Sequence, residues 1–207
     1  MIVVQITDTH IKPPGRLAYR RVNTADALAA CIEHVNRLRP RPDAVLVTGD
    51  LVDAGGRDEY GLFRELLEAL AVPWFAIPGN HDDRANMRAA FHDHDWLRQD
   101  YDFLHYVVDA WPVRLLGVDS TLPGAPEGRL CARRLQWLEL QLARPPAKPT
   151  LLFMHHPPFL TGIEHMDVQT CRDAAMSVSP AGRAWIGVAI GYSFQGWGLP
   201  PCGTRPL

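Results

Sequence analysis

Four short apolar runs in this chain end alike, and that shared ending limits what the chain can build. The run IVVQIT (2–7) leads into Asp8 and His10. AVLVT (44–48) leads into Gly-Asp-Leu-Val-Asp, with Asp50 and Asp53. PWFAI (73–77) leads into Pro-Gly-Asn-His-Asp, with Asn80, His81 and Asp82. TLLFM (150–154) leads into His155, His156 and two prolines. Short runs rich in branched and aromatic residues read as buried strands. Two more, YVV (106–108) and VRLLGV (113–118), read as a hairpin pair.

Helical patterns lie between the runs. Asn23 is a plausible N-cap with Asp26 in the first turn. Leu28, Ile32, Val35 and Leu38 then recur on one face until Pro40 and Pro42 stop the helix. Residues 58–70, 84–91 and 133–143 read as further helices, the last with Leu135, Leu138 and Leu142 on one face. Strands alternating with helices predict an α/β layered fold. In such folds ligands bind beyond the carboxyl ends of the strands, which is where the Asp, His and Asn residues fall.

Taken singly, these residues need no function. Asp50 suits a turn after Gly49, Asn80 tolerates a left-handed turn, and Asp53, His156 and His10 fit a loop or a core. Four such endings at one sheet edge point to a shared site. Carboxylates, imidazoles and an amide oxygen, with no thiolate, suit Mn, Fe, Zn or Co. A carboxylate such as Asp50 has two oxygens with which to bridge two ions, and ions about 3.5–4 Å apart clamp the attacking and leaving oxygens of a phosphoryl displacement. His81, beside these ligands, is placed to steady a phosphate oxygen or protonate a leaving alkoxide. Asp82 reads as a group that orients its neighbours. His92, His94 and His105 follow no strand end and read as residues of a polar loop, and His165 lies near the expected substrate pocket.

In this order, D-x-H, G-D-x-x, G-N-H-D and H-H-P-P resemble the calcineurin-like metallophosphoesterase superfamily. RLLGVDST and MHHPPFLTGIEHMDVQTC are similar to its branch of class III cyclic-nucleotide phosphodiesterases and glycerophosphodiesterases, and the resemblance covers residues 1 to about 175. It implies a four-layer αββα sandwich and two divalent metal ions. Asp8 and His10 would bind the first ion, Asp50 would bridge, and Asn80 and His155 would bind the second. His81 would be the catalytic histidine, with His81 and His156 meeting substrate. The implied reaction is hydrolysis of a 3',5'-cyclic nucleotide or a glycerophosphodiester by metal-bound hydroxide. The alternatives are a phosphomonoesterase of the same superfamily and a catalytically impaired, truncated member.

The chain departs from that pattern in one place. The superfamily ends its motif set with G-H-x-H, yet no His follows His165, and Tyr192 and Phe194 stand near the expected position. From Met176 onward there are only two charged residues and no legible strand or helix period. The expectation is a metallophosphoesterase domain over 1–175, a frame-shifted or truncated tail over 176–207, an incomplete second sheet and weakened metal binding. Net charge is −2, which offers no basic field for a nucleic-acid polymer or an anionic membrane. No apolar stretch is long enough to span a bilayer, Met1 runs directly into the first strand without a leader pattern, and the four cysteines form no C-x-x-C. A cytoplasmic enzyme acting on a small phosphodiester is the resulting expectation.

Overall fold

A computed structural model of the protein describes residues 1–98, 100, 102–146, 148–171 and 186–190. Its first sheet holds β1 (Val3–Ile6), β2 (Ala44–Thr48) and β3 (Trp74–Ile77), all parallel and in that order. Val45 of β2 lies beside Val4 on one side and Trp74 on the other. All of β2 is buried, which is why AVLVT reads as a continuous run rather than an alternating one.

The crossovers follow the helical patterns. In α1 (Thr24–Arg37) the Asn23 side chain accepts from Asp26 N, and Leu28, Ile32 and Val35 are buried. In α2 (Arg57–Leu67) the Glu59 carboxylate accepts from the amides of Gly56 and Ala54, while Tyr60, Phe63 and Leu67 face the core. This helix stops three residues earlier than its sequence period predicts. Asn36, at the end of α1, donates to Ala69 O and accepts from Ala71 N, so it takes backbone groups a longer helix would need. Pro73 follows, and a proline disfavours helical backbone in the residue before it. A short helix, α3 (Arg84–Ala90), follows β3, and the Asp83 side chain caps it at Asn86 N.

The second sheet runs in the order β4 (Tyr106–Val108), β5 (Arg114–Val118), β6 (Thr150–Met154) and β7 (Ile186–Ile190). Strands β4 and β5 pair antiparallel as expected, while β6 and β7 continue parallel to β5. Between β5 and β6 lies α4 (Ala132–Leu142). Arg114 of β5 reaches the end of that helix and donates to Gln141 O and Arg144 O, both at 3.1 Å. The sheets face one another, β3 against β5 and β2 against β6, and Tyr106 Oη donates to Ala76 O across the gap at 2.8 Å. The resulting order is helix, sheet, sheet, helix, the α/β sandwich that the resemblance implied.

Two short elements had no legible signal, the 3-10 turn Asp95–Arg98 and α5 (Glu164–Asp167). Strand β7 lies in the stretch where the sequence shows no legible strand period. Its run, IGVAI, dilutes branched residues with Gly and Ala, so periodicity does not pick it out. The rest of the expected tail, including Tyr192 and Phe194, lies outside the described residues. No helix among the described residues is long and apolar enough to cross a membrane.

Candidate metal centre

The carboxyl ends of β1, β2, β3 and β6 converge. Amides of the first loop bond to carbonyls of the second: Asp8 N to Gly49 O at 3.1 Å, His10 N to Asp50 O at 3.0 Å and Ile11 N to Leu51 O at 3.1 Å. Three side-chain-bearing residues here take left-handed backbone angles, with φ of 54° at Asp8, 41° at His10 and 50° at Asp50. Left-handed backbone in residues other than glycine costs free energy and gathers at functional sites. Two glycines make the close approach possible. A Cβ on Gly79 would lie 2.2 Å from Asp50 Oδ1, and one on Gly49 would lie 2.5 Å from His155 Nδ1.

Asp50 stands at the centre. Its Oδ1 accepts from His81 N at 2.9 Å, which leaves Oδ2 facing two imidazoles. That oxygen is 3.5 Å from His10 Nε2 and 3.6 Å from His155 Nε2. His10 Nε2 is also 3.8 Å from Asp8 Oδ1, and His155 Nε2 is 3.2 Å from Asn80 Oδ1. His155 Nδ1 donates to the Thr48 carbonyl at 2.9 Å, so in the neutral ring Nε2 carries the lone pair. His10 Nε2 is buried and lacks a hydrogen-bond partner. Carboxylate oxygens, imidazole nitrogens and an amide oxygen brought this close, with one buried ring nitrogen unpartnered, fit cations. Asp8, Asp50 and His155 offer ligand atoms within 4.8 Å of one another, and so do His10, Asp53 and His81.

The neighbouring charges move the proton affinities. Burial works against ionisation of Asp8, but the nearby His10 ring, the charge of His155 and the Thr7 hydroxyl outweigh it and hold Asp8 below the usual carboxylate range. Burial also works against charging His10. The carboxylates of Asp8, Asp50 and Asp53 close to the ring override it and raise His10 above its ordinary value. Asp82 goes the other way. Burial and the Asp50 charge push it up to about 6, although it accepts from Gly79 N, Leu51 N and the Tyr60 hydroxyl. Those bonds fit the reading of Asp82 as a group that orients its neighbours.

His81 sits beside the cluster. Its Nδ1 is 2.7 Å from the Asp53 carbonyl, and its ring meets that of His10 edge-on at 4.7 Å. Donation from Nδ1 to that carbonyl leaves Nε2 as the available atom. Asp53, which sequence reasoning set aside, also places a carboxylate oxygen 3.7 Å from His10 Nδ1 and pairs with Lys12. His156 is buried and lies 2.8 Å from Ser120 Oγ through Nδ1, and burial followed by the His155 charge drives its pKa down to about 3.

Elsewhere, His92 bonds Ala89 O and His94 packs among Trp74, Phe91 and Trp96. His105 is no polar-loop residue, since it is buried against Trp137. The side chain of His165 lies outside the described residues. Sequence reasoning missed the Thr48 carbonyl, which leaves no side-chain signal. It also gave no role to Asp119, although that residue closes β5 as Asp50 closes β2. Asp119 has no exposed surface, and the Arg84 guanidinium holds it from two sides at 2.6 and 2.9 Å. Burial opposes its ionisation, but Arg84 and the amide of Leu104 keep its pKa below the usual range.

A family model described as calcineurin-like phosphoesterase matches residues 1–179. The chain is 49% identical over 169 residues to a protein named probable glycerophosphodiester phosphodiesterase GpdQ, from Arcobacter nitrofigilis, covering 82% of this chain and 62% of that one. It is 38% identical over 180 residues to the glycerophosphodiester phosphodiesterase GpdQ of Enterobacter lignolyticus, covering 84% and 63%. It is 33% identical over 172 residues to the 3',5'-cyclic adenosine monophosphate phosphodiesterase CpdA of Escherichia coli, covering 83% and 61%. The chain thus spans about three fifths of the length of these relatives. A match over so much of the chain, with the motifs converging as described, means that the chain belongs to the calcineurin-like phosphoesterase family.

Proposed function

We propose that this protein is a metal-dependent phosphodiesterase acting on a small diester in the cytoplasm, with no nucleic-acid polymer or membrane as partner. Family membership brings divalent metals as cofactors, and the observation that carries the reading is the convergence of two imidazole nitrogens on Asp50 Oδ2. Asp8, His10 and Asp50 would hold one ion, and Asp50, Asn80 and His155 a second. The donor chemistry suits Fe, Mn, Zn or Co. When bound, such ions neutralise charge on phosphoryl oxygens and acidify a water. His81, its Nδ1 occupied by the Asp53 carbonyl, would present Nε2 to a phosphate oxygen or hold the proton that the leaving alkoxide takes.

A glycerophosphodiester is the leading substrate, because the relative sharing 49% identity bears that name, and a 3',5'-cyclic nucleotide is the alternative. Of the two ion sites the second is the weaker, since Asn80 is neutral and Asp50 is shared. The test is metal content by mass spectrometry after dialysis, with hydrolysis of bis(p-nitrophenyl) phosphate measured as Mn²⁺ is added. Hydrolysis that rises as metal is taken up is expected. A protein that takes up no divalent ion, or hydrolyses the monoester p-nitrophenyl phosphate faster than the diester, would overturn the reading.

A further inference from the structure

The residues of β5 contribute nothing to the cluster around Asp50, yet the end of that strand grips a loop that does. Asn80 and His81 lie just before Arg84, the first residue of α3. Arg84 sends its guanidinium to the second sheet, donating from Nε to Asp119 Oδ2 at 2.6 Å and from Nη2 to Asp119 Oδ1 at 2.9 Å. The same Nη2 donates to Thr121 O at 2.7 Å. Asp119 is fixed in turn by Leu104 N at 3.0 Å, Thr121 N at 2.9 Å and the Thr121 hydroxyl at 2.7 Å. Arg134 of α4 donates to Asp119 O at 2.9 Å. A two-pronged guanidinium–carboxylate pair has one preferred geometry, unlike a single hydrogen bond.

We propose that Arg84 and Asp119 form a clamp that sets the distance between the Asn80–His81 loop, on the first sheet, and His155, on the second. Arg84 is a positioning residue, touching neither ion nor substrate. The inference rests on the metal reading above, because it assigns the clamp to the ion shared by Asn80 and His155. The first ion's other residues, Asp8 and His10, sit on a loop bonded to the second loop instead and do not depend on the clamp.

The experiment compares the 207-residue chain with Arg84→Met and Arg84→Lys. In Arg84→Met, affinity for the second Mn²⁺ should fall about 10–100-fold, as supporting partners of metal ligands do when removed, while the first stays as in the parent. Arg84→Lys keeps the charge but not the fork, so it should restore only part. A purely structural role would weaken both ions together. Hydrogen exchange of the metal-free proteins gives a reading that needs no metal. Amides of the 79–84 loop should exchange on the order of tenfold faster in Arg84→Met, in keeping with lost hydrogen bonds to a charged group, while those of 8–12 should not change. Unchanged exchange in the 79–84 loop, or equal loss of both ions, overturns the clamp. A parent chain that takes up no divalent ion instead overturns the proposed function, and the exchange result then judges the clamp alone.

Discussion

The two sheet ends that meet at the cluster are built on opposite terms. Along the first sheet, Asp8, His10 and Asp50 hold left-handed backbone, and Asp8, His10, Asn80 and His81 keep some surface exposed. Along the second, Asp119, Ser120, His155 and His156 are buried, none has a positive φ, and every one is hydrogen-bonded into its surroundings. Strained backbone costs on the order of 1–3 kcal/mol per residue, and the first sheet offsets that cost with bonds between its loops. The difference teaches a division of labour: one edge is open toward the cluster, and the other is a rigid frame that carries one of the proposed ligands, His155. Substitutions on the first edge should therefore cost metal and rate, and those on the frame should cost stability.

The sharpest way to break this division is Asp50→Ala. It removes the oxygen that faces both imidazoles and the acceptor of His81 N. No divalent ion should survive dialysis, and hydrolysis of the chromogenic diester should vanish. Asp53→Ala should lose much less metal and rate, because the Asp53 carboxylate meets His10 at Nδ1, 3.7 Å away, and not at the Nε2 that faces Asp50. Equal losses from the two variants would contradict the central place of Asp50.

His81→Ala comes next in size. Removing a proton-transfer group of this kind typically lowers the rate about 10²–10⁴-fold. Metal content should not change, because His81 lies beside the ions in the proposed arrangement. A diester with a better leaving group should show a smaller defect. Metal content falling in step with rate would make His81 a ligand.

Much of the open edge was legible in the sequence, and much of the frame was not. Asp8, His10, Asp50 and Asn80 each follow a buried strand by a few residues, so one-dimensional spacing carries their grouping. The frame is made of long-range pairs. Nothing in the spacing of Arg84 and Asp119 says that they meet, and the Thr48 carbonyl that orients His155 belongs to the backbone. The division of the described strands into two sheets is likewise set by packing, since a buried strand of either sheet has the same apolar character. Strand β7 escaped for a simpler reason, its low content of strongly β-forming residues.

Two histidines sharpen the comparison through pH. In the metal-free protein the carboxylates around His10 raise its pKa, so its contribution to stability is full below about 6.5 and is lost as pH rises through the folded value. His105, within the frame, is lowered by burial, which outweighs the charges of Asp100, 3.3 Å away, and of Asp119. Its contribution is full above about 6.5 and is lost as pH falls, because the unfolded chain then binds the proton more readily. His105→Phe keeps the stack on Trp137 and removes the titration. Urea denaturation with chelator present should show a shallower loss of stability below about pH 6.5, by at most about 1.4 kcal/mol per pH unit. An unchanged slope would mean that His105 takes up protons equally in the folded and unfolded chains.

The smallest effect expected is that of Ser120→Ala, and it tests the frame where it comes nearest to the ligands. Ser120 Oγ lies 2.8 Å from His156 Nδ1 and accepts from His156 N at 3.4 Å, with both residues buried. The His156 ring is neutral, with its pKa near 3, so the bond is one between uncharged groups. Replacing the hydroxyl leaves a buried ring nitrogen without its partner, at a cost of about 1–3 kcal/mol. For a chain of this size each kcal/mol corresponds to roughly 2–4 °C in melting temperature. Metal affinity and diesterase rate should hold, because His155 is oriented by the Thr48 carbonyl and not through its neighbour. Calorimetry and metal titration on the same preparation separate the two quantities. A variant that keeps its melting temperature but loses the second ion would place Ser120 on the working edge, and the division between an open edge and a bonded frame would fail at its closest point.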